Sequence, residues 1–173
     1  QFVPYTDRMD YTAAISCNLG LVLAQERIGK VEAPPRAQYI RVILTELQRI
    51  TAHLLALGTH ALDLGAMTVF LYAFREREKI LDIFEDVTGA RLTIHWMRIG
   101  GLPEDVTDTF EAATRAFIKE FPADIDTYES LLTDNRIFRK RTEGVGVISG
   151  EDAINLGLTG PSLRGSGVYW DIR

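Results

Sequence analysis

The sequence predicts a mainly α-helical chain that ends in a glycine-rich loop region, and three observations carry that prediction. From Ile40 two seven-residue apolar ladders run side by side, Ile40, Leu47, Leu54, Ala61 and Ile43, Ile50, Leu57, Leu64, which make an apolar stripe several helical turns long. Proline and glycine punctuate the chain between such periodic stretches, at Pro34-Pro35, Gly65, Gly89 and Gly100-Gly101. Half of the 14 glycines lie between Gly144 and Gly167, which predicts turns there.

Taken in order, Tyr11 to Ile28 carries Ile15, Leu19, Val22 and Leu23 at helical spacing, with Asp7 or Asp10 as the N-cap and Gly29 as the stop. Pro35 suits the first turn of a second helix, where a missing N–H costs nothing. That helix carries both ladders. A third follows Thr68 as its cap, with Phe70, Phe74, Leu81, Phe84 and Val87 inward, Arg75 to Lys79 outward, and Gly89 at its end. Arg91 to Ile99 alternates and is rich in aromatics, so it reads as a short strand. Asp105 to Phe121 and Asp124 to Asn135 read as two further helices separated at Pro122. Ser149 caps one short helix among the final turns.

Composition bounds the function. At 173 residues, 46% hydrophobic and 25% charged, the chain is an ordered globular one of single-domain size. A net charge of -5 without a long basic run argues against a nucleic-acid partner. Cys17 is the only cysteine, so the chain holds neither a multi-cysteine zinc site nor four thiolates for an iron-sulfur cluster. Between Leu54 and Phe74 the one formal charge is Asp63. With Gly58, Gly65 and Thr68 in the same stretch, that reads as two buried helices rather than a membrane span.

Gly144 to Gly150 has the look of a phosphate loop but lacks the spacing, the preceding strand and the following Lys, so it reads as a structural turn. His53 and His60 are seven residues apart, about 10 Å along a helix, too far to share one metal ion. Asp63 interrupts an apolar run where an unpaired charge is costly. Two readings stand: a structural carboxylate bonded to Thr59 or His60, or a functional one. Tyr11, in Asp7-Arg8-Met9-Asp10-Tyr11, reads as part of a helix start with a nearby ion pair.

Six strings in register then resemble one family: Tyr5-Thr6-Asp7-Arg8-Met9-Asp10-Tyr11; Pro34-Pro35-Arg36-Ala37 with Ile40-Arg41-Val42; Thr59 to Thr68; Phe74-Arg75-Glu76-Arg77-Glu78; Arg98-Ile99-Gly100-Gly101; and Leu163 to Gly167 with Asp171-Ile172-Arg173. They resemble the quinone-site subunit of respiratory complex I, a relative of the nickel-iron hydrogenase large subunit. The resemblance implies the helical middle section of the hydrogenase-large-subunit-like fold, residues 1–173 being one internal piece of a longer chain. A hairpin with a quinone-binding His would precede it and the rest of the fold would follow.

The family resemblance also implies roles. Tyr11 would donate a hydrogen bond to the quinone headgroup, Thr59 would line the same cavity, and Asp63 would pair with the His of the hairpin. Arg8 would lie beside the terminal iron-sulfur cluster of a neighbouring subunit. The substrate would be ubiquinone or menaquinone, with no cofactor or metal ligated by this chain. The other partners would be the membrane arm and remaining subunits, and the place the cytoplasmic face of a bacterial inner membrane. Hydrogenase chemistry needs two Cys-x-x-Cys pairs, and none is present. A non-catalytic helical assembly subunit is the other alternative. Where many relatives carry a His near the cluster this chain has Thr93, and His95, about 6.6 Å further along an extended strand, is no obvious substitute.

Overall fold

The computed structural model describes residues 2–171 and is mainly α. It divides into two compact units, Gln1–Leu132 and Thr133–Arg173. The first contains α1 (Val3–Thr6), α2 (Ala14–Gly29), α3 (Pro35–Asp63), α4 (Met67–Thr88) and α5 (Phe110–Leu131). The second contains α6 (Arg136–Thr142), α7 (Gly150–Asn155) and α8 (Gly160–Gly165).

The long helix α3 is the spine of the first unit. Pro35 begins it as expected, and of its two ladders only one is core: Ile40, Leu47, Leu54 and Ala61 are buried, whereas Ile43 and Leu57 are each 37% exposed. Ile50, between them, is partly buried against the core, so the second ladder runs along the edge of the buried face. On the other flank of the buried face stand polar residues, Arg41, Thr45 and Gln48, which are buried because each is bonded. Helices α2, α4 and α5 pack round this spine and its hairpin partner, joined through Ile15, Val22, Leu44, Ile80, Phe84 and Phe117.

Several expectations need correction. The first long helix starts at Ala14, not Tyr11, and neither Asp7 nor Asp10 caps it. It stops through a left-handed Lys30, one residue past the expected Gly29. Gly58 does not end a helix but lies inside α3, where its bare Cα lets Phe70 and Ala73 of α4 approach. Thr68 lies within α4 and Ala66 is the N-cap. Residues 91–99 form no strand; they are irregular, with a single antiparallel bridge from Arg98 to Gly101, because Ile94, Trp96 and Met97 all point into the core instead of alternating. The two expected helices around Pro122 are one continuous α5. A mid-helix proline loses one hydrogen bond to the carbonyl four residues back. Here that residue is Ile118, which is exposed.

The charged run on α4 is the largest departure. Glu76 points inward and is fully buried, and Arg77 is half-buried over the Phe74 ring. Arg75 Nε lies 2.6 Å from Glu76 Oε1 and Lys79 Nζ 2.7 Å from Oε2, while Arg75 Nη2 reaches Asp124 Oδ1 of α5 at 2.9 Å. These charges staple α4 to α5. Lys79 and Arg75 hold the Glu76 carboxyl below its usual range despite burial, whereas burial and the adjacent Glu76 raise that of Asp124. Tyr128, buried beside the same two acids, is pushed up to about 12.

In the second unit local chemistry decides. Asn135 Oδ1 accepts from Ile137 N and Phe138 N to start α6, and Ser149 Oγ accepts from Asp152 N at 3.1 Å to start α7, as expected. Gly144 and Gly146 have positive φ and form turns.

Candidate functional site

Of the four residues singled out from the sequence, two lie on the turn before α2 and two on the last turns of α3. The turn, residues 7–13, is irregular on its surface and tightly held beneath. Asp7 is fully buried, with Asn18 Nδ2 donating to its Oδ1; Asn18 Nδ2 also donates to Thr6 Oγ1 at 2.8 Å. Asp10 Oδ1 accepts from Thr12 N at 3.1 Å and from Thr12 Oγ1 at 2.8 Å, a side-chain turn that completes the bend. These aspartates shape the turn instead of capping the helix.

No local side chain caps α2. Its first N–H groups point at Gln48 of α3, whose Oε1 accepts from Ile15 N at 2.5 Å and from Ser16 N at 3.3 Å. A mid-helix glutamine on one helix thus does for another what a Ser or Asp usually does for its own, satisfying donors that would otherwise be stranded. Gln48 has no sequence signature, because its partners lie more than thirty residues away.

On this support the two surface residues are exposed. Arg8 does not form the expected ion pair; its Nη1 donates to Pro4 O at 2.6 Å and the side chain is exposed. Tyr11 is 69% exposed.

The second pair sits at the tip of the α3–α4 hairpin. The tip closes with Ala66 N donating to Ala61 O at 2.7 Å and Gly65 N to Leu62 O at 2.9 Å, Gly65 having φ 88. This is a Schellman cap, and it places Asp63 at the final helical position. Thr59 Oγ1 bonds back to Leu55 O at 2.9 Å and Ala56 O at 3.2 Å, not to Asp63. The structural reading of Asp63 as a buried carboxylate bonded to Thr59 is therefore wrong: Asp63 is exposed. Leu57, Leu62, Met67 and Leu71 are exposed on the same hairpin, so the acid and the hydroxyl stand among bare apolar side chains. A negative charge at a helix C-terminus is unfavourable toward the helix dipole, by about 0.3–1 kcal/mol on a surface. Asp63 is thus poised to gain from a cation.

A third group ties α2 and α3 to the segment that follows α4. Arg41 and Glu26, both buried, pair in bidentate fashion at 3.1 and 2.7 Å, and Arg41 also donates to the carbonyls of Arg98 and Gly101. Gly100 N donates to Glu26 Oε1 at 2.8 Å. The Arg41 guanidinium holds the Glu26 carboxyl below its usual range. These bonds fix the end of the 91–101 segment, which carries His95.

Among the described residues no three His, Cys, Asp or Glu converge as metal ligands, and no helix is long and apolar enough to cross a membrane.

Comparison with known proteins gives one consistent family. A family model described as respiratory-chain NADH dehydrogenase, 49 Kd subunit, matches residues 63–173. The NADH-quinone oxidoreductase D subunit of Geotalea uraniireducens (strain Rf4) is 58% identical over 173 residues, which are all of this chain and 44% of that protein. The D subunits of Geobacter sulfurreducens and Citrifermentans bemidjiense are 57% and 54% identical over the same 173 residues, again 44% of each relative. The chain therefore spans less than half the length of these relatives. Its helical architecture is consistent with the hydrogenase-large-subunit-like fold expected from its sequence. With the family model covering well over half of its residues, the chain belongs to the respiratory-chain NADH dehydrogenase 49 Kd subunit family.

Proposed function

We propose that this chain forms part of the quinone-reduction site of an NADH-quinone oxidoreductase and works only in the assembled complex. One observation carries the reading: Arg8, Tyr11, Thr59 and Asp63 are all exposed polar residues, yet the first two lie over a buried, bonded support and the last two on a capped helix end. Polar groups held in place but left without solvent-excluding partners are what a binding wall requires.

In this reading Tyr11 offers its phenol O–H to a quinone carbonyl oxygen and supplies a proton there as the oxygen becomes basic on reduction. Thr59 and the exposed leucines of the hairpin line the approach. Asp63 orients and stabilises a protonated imidazole from outside the described residues, and loses or changes that partner when the imidazole gives up its proton. Arg8 supplies a fixed positive charge that favours an electron on the adjacent iron-sulfur cluster. These 173 residues contain a single cysteine, too few for the usual four-thiolate ligation, and in this reading the cluster is carried by a neighbouring subunit. The complex would sit peripherally on the membrane arm at the cytoplasmic face.

The test is Tyr11→Phe in the assembled complex. Removing only the phenol O–H lowers quinone reductase turnover about tenfold or more while reduction of the terminal cluster by the donor persists. Wild-type turnover in that variant ends the reading.

A further inference from the structure

Beneath the exposed turn lies an incomplete bond. Asp7 is fully buried, and while its Oδ1 is bonded by Asn18, its Oδ2 has no hydrogen-bond partner. Leaving a buried carboxylate oxygen without a donor is costly, so such a group calls for one. Among the described residues one basic side chain reaches it: His95 Nδ1 lies 3.6 Å from Oδ2. That is longer than a hydrogen bond and within the reach of a small side-chain rotation.

His95 is presented there by an unusual backbone. Thr93 has φ 42, a left-handed conformation that a β-branched residue rarely adopts. It breaks the extended course that would have carried His95 past, and strain of this kind persists where the surroundings enforce it. Arg98 Nη1 donates to the backbone carbonyls of His95 and of Met97, the latter at 3.0 Å, pinning the segment at the histidine itself. The ring is half-exposed, and free to turn on a fixed backbone.

We propose that His95 is a positioning residue for the Arg8–Tyr11 turn: its Nδ1–H donates to Asp7 Oδ2 and latches the turn to the 91–101 segment. The latch rests on the quinone-site reading for its functional meaning, though not for its geometry. Asp7 is next to Arg8 in the chain and four residues before Tyr11, so an Asp7 carboxylate held on both oxygens, by Asn18 and by His95, fixes the first residue of the turn. The Arg41–Glu26 network and Gln48 then hold the two elements that the latch connects.

The experiment compares His95→Leu, His95→Asn and the double variant His95→Leu with Asp7→Asn in the assembled complex. His95→Leu lowers kcat/KM for quinone about tenfold, chiefly through KM, and speeds amide hydrogen exchange of residues 8–13 by a similar factor. His95→Asn, whose side-chain N–H falls near the place of Nδ1, recovers most of both. Adding Asp7→Asn to His95→Leu has little further effect, since the two side chains act as one bond. Unchanged exchange in His95→Leu overturns the proposal. So does a failure of His95→Asn to recover, or unchanged quinone kinetics in His95→Leu while Tyr11→Phe impairs them. If His95→Leu does not assemble, His95→Asn set against His95→Gln, whose N–H reaches the place of Nε2 instead, makes the same comparison. Should Tyr11→Phe itself turn over normally, the quinone reading fails separately and exchange alone decides whether the latch exists.

Discussion

Two acidic residues in this chain stand in reversed places. Glu76, within a charged run that reads as a solvated helix face, is fully buried. Asp63, alone in an apolar run that reads as core, is exposed. The difference is in their partners. Glu76 has Arg75 beside it and Lys79 one turn on, so its charge enters the interior already neutralised, with Arg75 left to hold the second acid, Asp124 of α5, as well. Asp63 has no Lys or Arg within a turn, and the hydroxyl of Thr59 one turn earlier is spent on its own helix, so the acid ends where the helix ends. A run of charges is no guarantee of exposure, and an apolar neighbourhood is no guarantee of burial. What matters is whether compensating groups lie within a turn or can be supplied across a helix pair.

The strongest way to break this comparison is Glu76→Ala. Removing one member of a buried ion pair costs about 3–5 kcal/mol, and since Arg75 and Lys79 are themselves about half exposed, we expect about 3 kcal/mol in urea unfolding. A loss under about 1 kcal/mol would mean that the staple contributes little beyond packing.

A smaller effect follows from pH. Glu26 and Glu76 both have carboxyls lowered from 4.5, so the stability each contributes is fully present above that value and is lost as pH falls through the lowered folded value. Asp124, raised from 3.8, works in the opposite sense, favouring the folded state as it takes up a proton. Asp86 and Asp105 are lowered as well, so four acids stand against the one raised, and the thermal midpoint should drop as pH is lowered below 4.5. Glu76→Gln should flatten that drop, and melting curves with an unchanged acid slope in that variant would assign the acid sensitivity to the other lowered carboxyls, Glu26, Asp86 and Asp105.

The smallest stability effect belongs to Asp63→Asn. It removes an exposed charge from the unfavourable end of α3, so unfolding free energy should change by no more than about 0.5 kcal/mol, and in the stabilising direction. Quinone reduction, or its coupling to proton translocation, should nevertheless fall in the assembled complex. A variant that fails to fold would restore a structural role for Asp63; one with normal coupled turnover would leave it without a functional one.

What was legible in the sequence is what is decided within one helical turn. Pro35, the Gly65 and Gly89 stops and the Ser149 cap are each local choices, and each stands where expected. Asp63 and Thr59 were visible as an i, i+4 pair, and Tyr11 and Arg8 as neighbours in one motif. The supports were not visible. Gln48 is an ordinary helix residue until α2 is laid across it, and Asp7 looks like an N-cap until Asn18 and His95 surround it. Pro122 reads as a break because propensity alone makes it one, whereas packing of Phe117 and Tyr128 against α4 carries the helix through.

The tip of the hairpin sets an order of assembly. Only Leu64, Gly65 and Ala66 separate α3 from α4, so these two long helices can pair as soon as they leave the ribosome, by contacts close in the chain. The Tyr11 turn is made earlier in synthesis but is supported from further away: the start of its helix is bonded by Gln48, more than thirty residues on. In the proposed site, then, the Asp63 half is closed by bonds local in the chain, whereas the Tyr11 half leans on residues translated after it.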